Sequence, residues 1–167
     1  MSGPSSLITS FTELVAQLAA DKVPHRVDPD SQVVHFPAAS PALAGPLYLR
    51  WDQRLPFIQI VQPMINVPEE RVPDVEAAMG RLNAVAAFPG LGLEYQTFAL
   101  YCRATATLDE GSVRTATLRH LIQVTIANAM EFLPTMNDIV AGAPGSDVIK
   151  SLMAKRAAAA VEGVPGN

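Results

Sequence analysis

Side-chain catalysis needs titratable or nucleophilic groups that converge, and this chain of 167 residues spreads its few candidates widely. His25 and His35 fall on either side of a short turn, where a hairpin would bring them together. A metal site there would still need a third ligand from Asp28, Asp30 or elsewhere. The plainer reading makes them two half-exposed strand residues. His120, between Arg119 and Leu121, stands near the start of a long helix at a surface or boundary position. The acidic pairs have structural roles open to them. Glu69-Glu70 precede or open a helix, where carboxylates complement the dipole, and Asp109-Glu110 sit in a strand-to-helix turn. Neither pair reads as an acid/base couple. No serine stands in a nucleophile elbow. The glycines of Pro89-Gly90-Leu91-Gly92 follow a helix and do not lead into one, the wrong polarity for cradling a phosphate. Cys102 is the single cysteine, which excludes an internal disulfide and a four-cysteine zinc site. It lies in an alternating apolar run and reads as a core residue. No catalytic residue, cofactor-binding residue or metal ligand is assigned, and no cofactor is expected.

Composition narrows the class further. Hydrophobic residues make up 49% of the chain and charged residues 17%, which excludes wholesale disorder. Twelve Lys and Arg are spread thinly against sixteen Asp and Glu, for a net charge of −4. Nucleic-acid binding needs clustered cations, and the longest basic run is Lys155-Arg156. The first ten residues lack the basic-then-apolar pattern of a signal peptide, and no uninterrupted apolar stretch reaches about 18 residues. A bacterial-type cytoplasm is the expected location, with no membrane partner.

The periodicity lays out the elements that must hold any site. Ser10 or Thr9 can cap a helix carrying Phe11, Leu14, Val15 and Leu18 at helical spacing, with Glu13 three residues after Ser10 completing a capping box. His25–Asp28 and Gln32–Phe36 are short strands joined by Asp-Pro-Asp-Ser, and Pro37–Pro46 is a loop. Leu47, Leu49 and Trp51 alternate with Tyr48, Arg50 and Asp52, and a turn follows at Asp52-Gln53-Arg54. Phe57–Ile65 is apolar on both faces and predicts a central strand covered on both sides. Val72, Val75, Met79, Leu82 and Ala86 form a helical stripe over 68–88, with Gly80 either weakening it or permitting close packing. Leu91–Tyr95 and Phe98–Thr107 make a hairpin. Ser112 is expected to cap a long helix through Val140, which Pro134 should kink or break. Three stretches follow: a flexible leader over 1–9, a single α+β domain over 10–142, and a linker with a short C-terminal helix or tail over 143–167. Ala143-Pro144-Gly145 and the alanine run predict few core contacts for that tail. The fold class is α+β, an antiparallel twisted sheet of five to six strands flanked by helices. The order is helix, three to four strands, helix, two strands, long helix.

Alternation also singles out a surface. If helices cover one sheet face, the other carries Tyr48 with Arg50 and Tyr101 with Arg103. Tyrosine and arginine are enriched at protein interfaces, so these four are the candidate partner-binding residues. The bland alternative is an ordinary solvated sheet face.

Val67-Pro68-Glu69-Glu70-Arg71, Leu82-Asn83, the hairpin Gly92-Leu93-Glu94-Tyr95 and the strand through Ala104 resemble the YbjN family. The likeness spans roughly residues 8–141. That family shares its fold with class I chaperones of type III secretion systems. The resemblance implies a secretion-chaperone-like fold, a homodimer and no cofactor. The leading functional expectation is a non-catalytic protein-binding module, chaperone-like or a regulatory adaptor, with a protein partner or client. One alternative is a small enzyme or ligand-binding protein with an apolar pocket enclosed by the curved sheet. Another is a structural subunit of a larger assembly.

Overall fold

A computed structural model of the chain describes residues 6–52, 55–85 and 88–162. The leader through residue 5, the turn residues Gln53-Arg54, Ala86 at the end of the second helical stripe and the expected frayed end over 163–167 lie outside the described residues.

The elements follow the periodicity closely. Strand β1 is Leu7–Ile8, and helix α1 is Phe11–Ala20. Ser10 caps α1 by accepting from the Glu13 amide at 3.2 Å. The Glu13 carboxylate reaches back one residue further than expected, taking hydrogen bonds from the Thr9 amide and hydroxyl at 2.8 Å each. Four strands follow: β2 Arg26–Asp28, β3 Val33–His35, β4 Tyr48–Asp52 and β5 Phe57–Asn66. A 3₁₀ turn at Glu69–Arg71 leads into helix α2, Val72–Val85. Strands β6 Gly90–Glu94 and β7 Ala99–Thr107 form the expected hairpin, and β8 Val113–Arg114 precedes helices α3 Thr115–Val140 and α4 Gly145–Glu162.

Six strands make one antiparallel sheet in the order β2-β3-β4-β5-β7-β6, and β1 pairs with β8 separately. The α+β class and its element order are as the sequence implied. Residues of one parity (Val34, Leu49, Trp51, Ile58, Ile60, Leu100, Cys102, Ala104) are buried among the helices. The core has two lobes. One gathers Phe11, Leu14, Leu49, Trp51, Ile60 and Leu121, and the other gathers Met64, Val75, Leu82, Leu93, Phe132 and Leu152. Helix α3 supplies both lobes and ties them together.

Several expectations give way. The leader is not wholly flexible, because β1 pairs in register with β8 and Ile8 is buried in the first lobe. Ser112 does not cap α3. Its hydroxyl donates to the Asp109 carbonyl at 2.6 Å and closes the turn before β8, while the N-cap position falls to Arg114. Helix α3 runs unbroken through Pro134. Pro134 is exposed there, so the Met130 carbonyl that loses its bond can be hydrated. Gly80 faces open space, which removes close packing as its reason. Arg71 donates to the Ile139 carbonyl at 2.5 Å, placing a cation at the negative end of α3. The tail is not poor in core contacts, since α4 buries Ile149 and Leu152 in the second lobe. Its spacing puts Ile149, Leu152 and the half-buried Met153 on one face, a helical stripe that the alanine content masked.

Candidate functional site

Strand β5 carries the clearest departure in the sheet. Its helix side is buried through Ile58, Ile60, Gln62 and Met64, but its other side, Phe57, Gln59, Val61 and Pro63, has no helix over it among the described residues. It is therefore a central strand covered on one side only. Val61 is nonetheless only 4% exposed. The register explains why. Tyr48 and Arg103 flank Val61 on the two neighbouring strands, and their side chains rise on either side of it.

That register assembles the four candidate residues on one surface. Across the sheet runs a row of Arg26, His35, Tyr48, Val61, Arg103 and Gly90. Next to it on one side lies Val33, Arg50, Gln59 and Thr105, and on the other Pro63, Tyr101 and Gly92. Tyr48, Arg50, Tyr101 and Arg103 thus share the face away from the helices, as strand alternation predicted for their orientation. The opposed sets Leu47, Leu49, Trp51 and Leu100, Cys102, Ala104 are all buried.

The local geometry is specific. The Arg103 guanidinium stands 5.9 Å from the Tyr101 ring centre, within cation–π range. Burial pushes the Tyr48 phenol above its usual pKa, with the neighbouring Tyr101 adding to the shift and the Arg50 and Arg103 guanidiniums opposing it. His35 tilts against Tyr48 with ring centres 6.1 Å apart. Arg50 meets Asp52 at 3.6 Å and keeps half of its side chain exposed. A shallow hollow of about 260 Å³ opens among Tyr48, Val61, Glu94, Tyr101 and Arg103. Three of the four candidate residues line it, and Arg50 stands outside.

Sequence reasoning missed Val61, Glu94 and Gly92. A Cβ at Gly92 would sit 2.4 Å from Cζ of Tyr101, so the Tyr101 ring lies directly over the glycine. The signal was present in Gly90-Leu91-Gly92-Leu93-Glu94, where the leucines alternate with residues that leave room for a ring.

The other candidates stay apart from this surface. His25 and His35 line one recess of about 500 Å³ with Pro24, Arg26, Phe36, Pro37 and Pro46. The His25 Nδ1 is engaged with the Val23 carbonyl at 2.7 Å. No cluster of three or more His, Cys, Asp or Glu able to hold a metal occurs among the described residues. His120 is exposed on α3, and Asp109 is held in its turn with Ser112. A more apolar cavity of about 300 Å³ lies between α1, α3 and the sheet, walled by Leu14, Leu18, Phe36, Leu49, Leu118 and Ile122. Most of its walls come from α1 and α3, with Leu49 of β4 reaching it from the sheet. Burial pushes the Cys102 thiol up to about 12. Alkylation of Cys102 in the native protein should therefore be slower than in a denatured control by 100-fold or more. Its rate should follow global unfolding, and fast modification by an aromatic disulfide reagent at pH 8 would contradict the buried placement. No helix among the described residues is long and apolar enough to cross a membrane.

No family model matches the chain, and no curated protein matches it. Among solved structures, the fold is similar to a chain of the HopA1–SchA chaperone–effector complex, with a TM-score of 0.53 and 12% identity. The match covers 74% of this chain and 94% of that one. At that identity the likeness is one of fold, and it agrees with the chaperone-like fold that the family resemblance implied.

Proposed function

We propose that this chain is a non-catalytic protein-binding module, chaperone-like or a regulatory adaptor, that acts as a homodimer in a bacterial cytoplasm. The observation that carries the reading is the helix-free sheet face bearing Tyr48, Arg50, Tyr101 and Arg103 on one register-defined patch. Such a patch combines large contact area with polar tips, the composition of interface hot spots. The fold likeness to a chain of a chaperone–effector complex supports protein as the ligand class. The motif residues from Val67 to Arg71 and from Gly92 to Tyr95 support a place near the YbjN family. On this reading the patch meets either a second protomer or a client, and no cofactor takes part.

Light scattering after size exclusion should give about twice the 17.8 kDa chain mass. Tyr101→Ala and Tyr48→Ala should each weaken dimer association, or the capture of partners from the native lysate, by about 30-fold, equivalent to about 2 kcal/mol for a buried aromatic anchor. Their melting curves should stay close to that of the unmodified chain, because neither side chain belongs to the helix-side core. If both variants leave dimer and captured partners unchanged with native circular dichroism, the face is an ordinary solvated surface.

The cavity between α1 and α3 favours a second reading, a carrier of a small apolar ligand. Saturable binding of an environment-sensitive apolar dye, abolished by Leu118→Trp, would support it.

A further inference from the structure

The hollow on the open face holds hydrogen-bond donors that the fold itself does not use. The Tyr48 hydroxyl belongs to its wall and makes no hydrogen bond among the described residues. Burial pushes that phenol above its usual pKa, so it stays protonated and able to donate. Arg103 is exposed, lines the same hollow and pairs with no carboxylate among the described residues. Its guanidinium stands by the Tyr101 ring, which holds the cation without neutralising it. Among the described lining residues Glu94 is the single carboxylate, and it accepts from the Gln96 amide at 3.2 Å. The other acids on this face are engaged as well. Asp28 takes the amides of Asp30 and Ser31 at 3.2 and 3.3 Å, and Asp52 meets Arg50 at 3.6 Å. The face therefore presents an unanswered cation in a chain whose net charge is −4.

We propose that this hollow is a docking site for the carboxylate side chain of an aspartate or glutamate on a partner protein, with Arg103 and Tyr48 as its donors. The inference rests on the open-face reading above and names the chemistry of the partner. Arg103 supplies the planar fork that meets both carboxylate oxygens, and the Tyr48 hydroxyl donates to one of them. The hollow, about 260 Å³, takes a single side chain, and it is shallow, on a face with no helix over it among the described residues. A free small acid would be left mostly in water there, whereas a side chain carried by a protein segment brings contacts with the surrounding face. Glu94 at the rim sets the charge, because a phosphate dianion meets about twice the repulsion that a carboxylate does. A second copy does not supply the acid, since the acids of the open face are engaged in every copy of the chain. The occupant is a different protein with an acidic segment.

The test titrates capped pentapeptides into the full chain and follows the backbone amides of β4, β5 and β7 by NMR. The peptides differ only at the centre, which is glutamate, glutamine or phosphoserine. The glutamate peptide should bind about 10-fold more tightly than the glutamine peptide, and more tightly than the phosphoserine one, with the Val61 and Arg103 amides shifting. Arg103→Gln should erase the preference for glutamate, and Tyr48→Phe should weaken glutamate binding by about 5-fold. Glu94→Gln should bring the phosphoserine peptide level with the glutamate one or above it. Circular dichroism of these variants should stay native, since the three side chains stand outside the helix-side core. Equal binding of the glutamate and glutamine peptides at these amides overturns the inference and leaves the open-face reading standing. So does a phosphoserine peptide that binds the unmodified chain more tightly, or acetate that saturates the site as readily as the peptide does. Absence of any shift on the sheet also overturns the inference. The open-face reading falls with it only if Tyr48→Ala and Tyr101→Ala leave association and partner capture unchanged.

Discussion

Removing residues 144–167 should lower the thermal midpoint by about 8–16 °C. Helix α4 buries Ile149 and Leu152, at 8% and 7% exposure, in the lobe built on Phe132, Met136 and Leu82. Arg156 adds a second attachment. Its guanidinium donates to both carboxylate oxygens of Glu131, at 2.5 and 2.7 Å, and to Asn128 at 3.2 Å, and it lies 5.0 Å from the centre of the Phe132 ring. The hydrogen bonds from Arg156 hold the Glu131 carboxyl below its usual pKa. Truncating a buried aliphatic side chain to alanine costs about 2 kcal/mol at the low end, so losing Ile149 and Leu152 together costs about 4 kcal/mol. At about 2–4 °C per kcal/mol for a chain of this size, the midpoint falls by the stated amount. Ile149→Ala and Leu152→Ala should each account for about half of the drop, and scanning calorimetry on the three variants measures it. A truncated chain that melts within about 3 °C of the full one would show that α4 rests on the surface without stabilising the core.

Gly92→Val should weaken the proposed association through the open sheet face by about 100-fold while leaving the melting temperature within a few degrees. A new Cβ would meet Cζ, the hydroxyl and Cε2 of Tyr101 at 2.4–2.6 Å, distances no packed side chain tolerates. Those atoms are the free end of a half-buried ring, so Tyr101 can swing outward with little cost to the fold. Valine also suits an edge strand better than glycine by up to about 1 kcal/mol, which offsets residual crowding. The displaced ring leaves its place beside Arg103 and stands out from the face, so the contact loses an anchor and gains an obstruction. The effect therefore exceeds that of Tyr101→Ala, which removes the anchor alone. Sedimentation equilibrium of the proposed dimer measures it. A large fall in melting temperature with unaltered association would mean that Tyr101 serves the fold and the surface has no partner there.

The arrangement of elements was legible because periodicity reports which face of each element is dry. Leu100-Tyr101-Cys102-Arg103-Ala104 alternates without interruption, and every apolar member is buried in the fold. Capping was legible in part. Sequence offers Ser10 or Thr9 as the first cap, and the Glu13 amide settles on Ser10, whereas Ser112 fails as the second cap because two residues of β8 intervene before α3. The pairing that creates β8 is with Leu7–Ile8, more than a hundred residues earlier, and local sequence holds no trace of it.

By itself, then, the sequence determined the α+β class, the element order and the side of each strand on which Tyr48, Arg50, Tyr101 and Arg103 stand. All of these depend on spacings of two to four residues along the chain. Only the tertiary structure decided that these four residues share one patch around Val61, because that depends on the register of β4, β5 and β7. It alone decided that α4 belongs to the core, since Arg156 finds Glu131 twenty-five residues back across a turn. It alone closed the β6 edge, since Asn83 and Leu91 meet through the docking of α2 beside the sheet. Local patterns record which way a side chain points. Which distant side chain it meets depends on how the elements pack, and that is decided by the shape of the whole core.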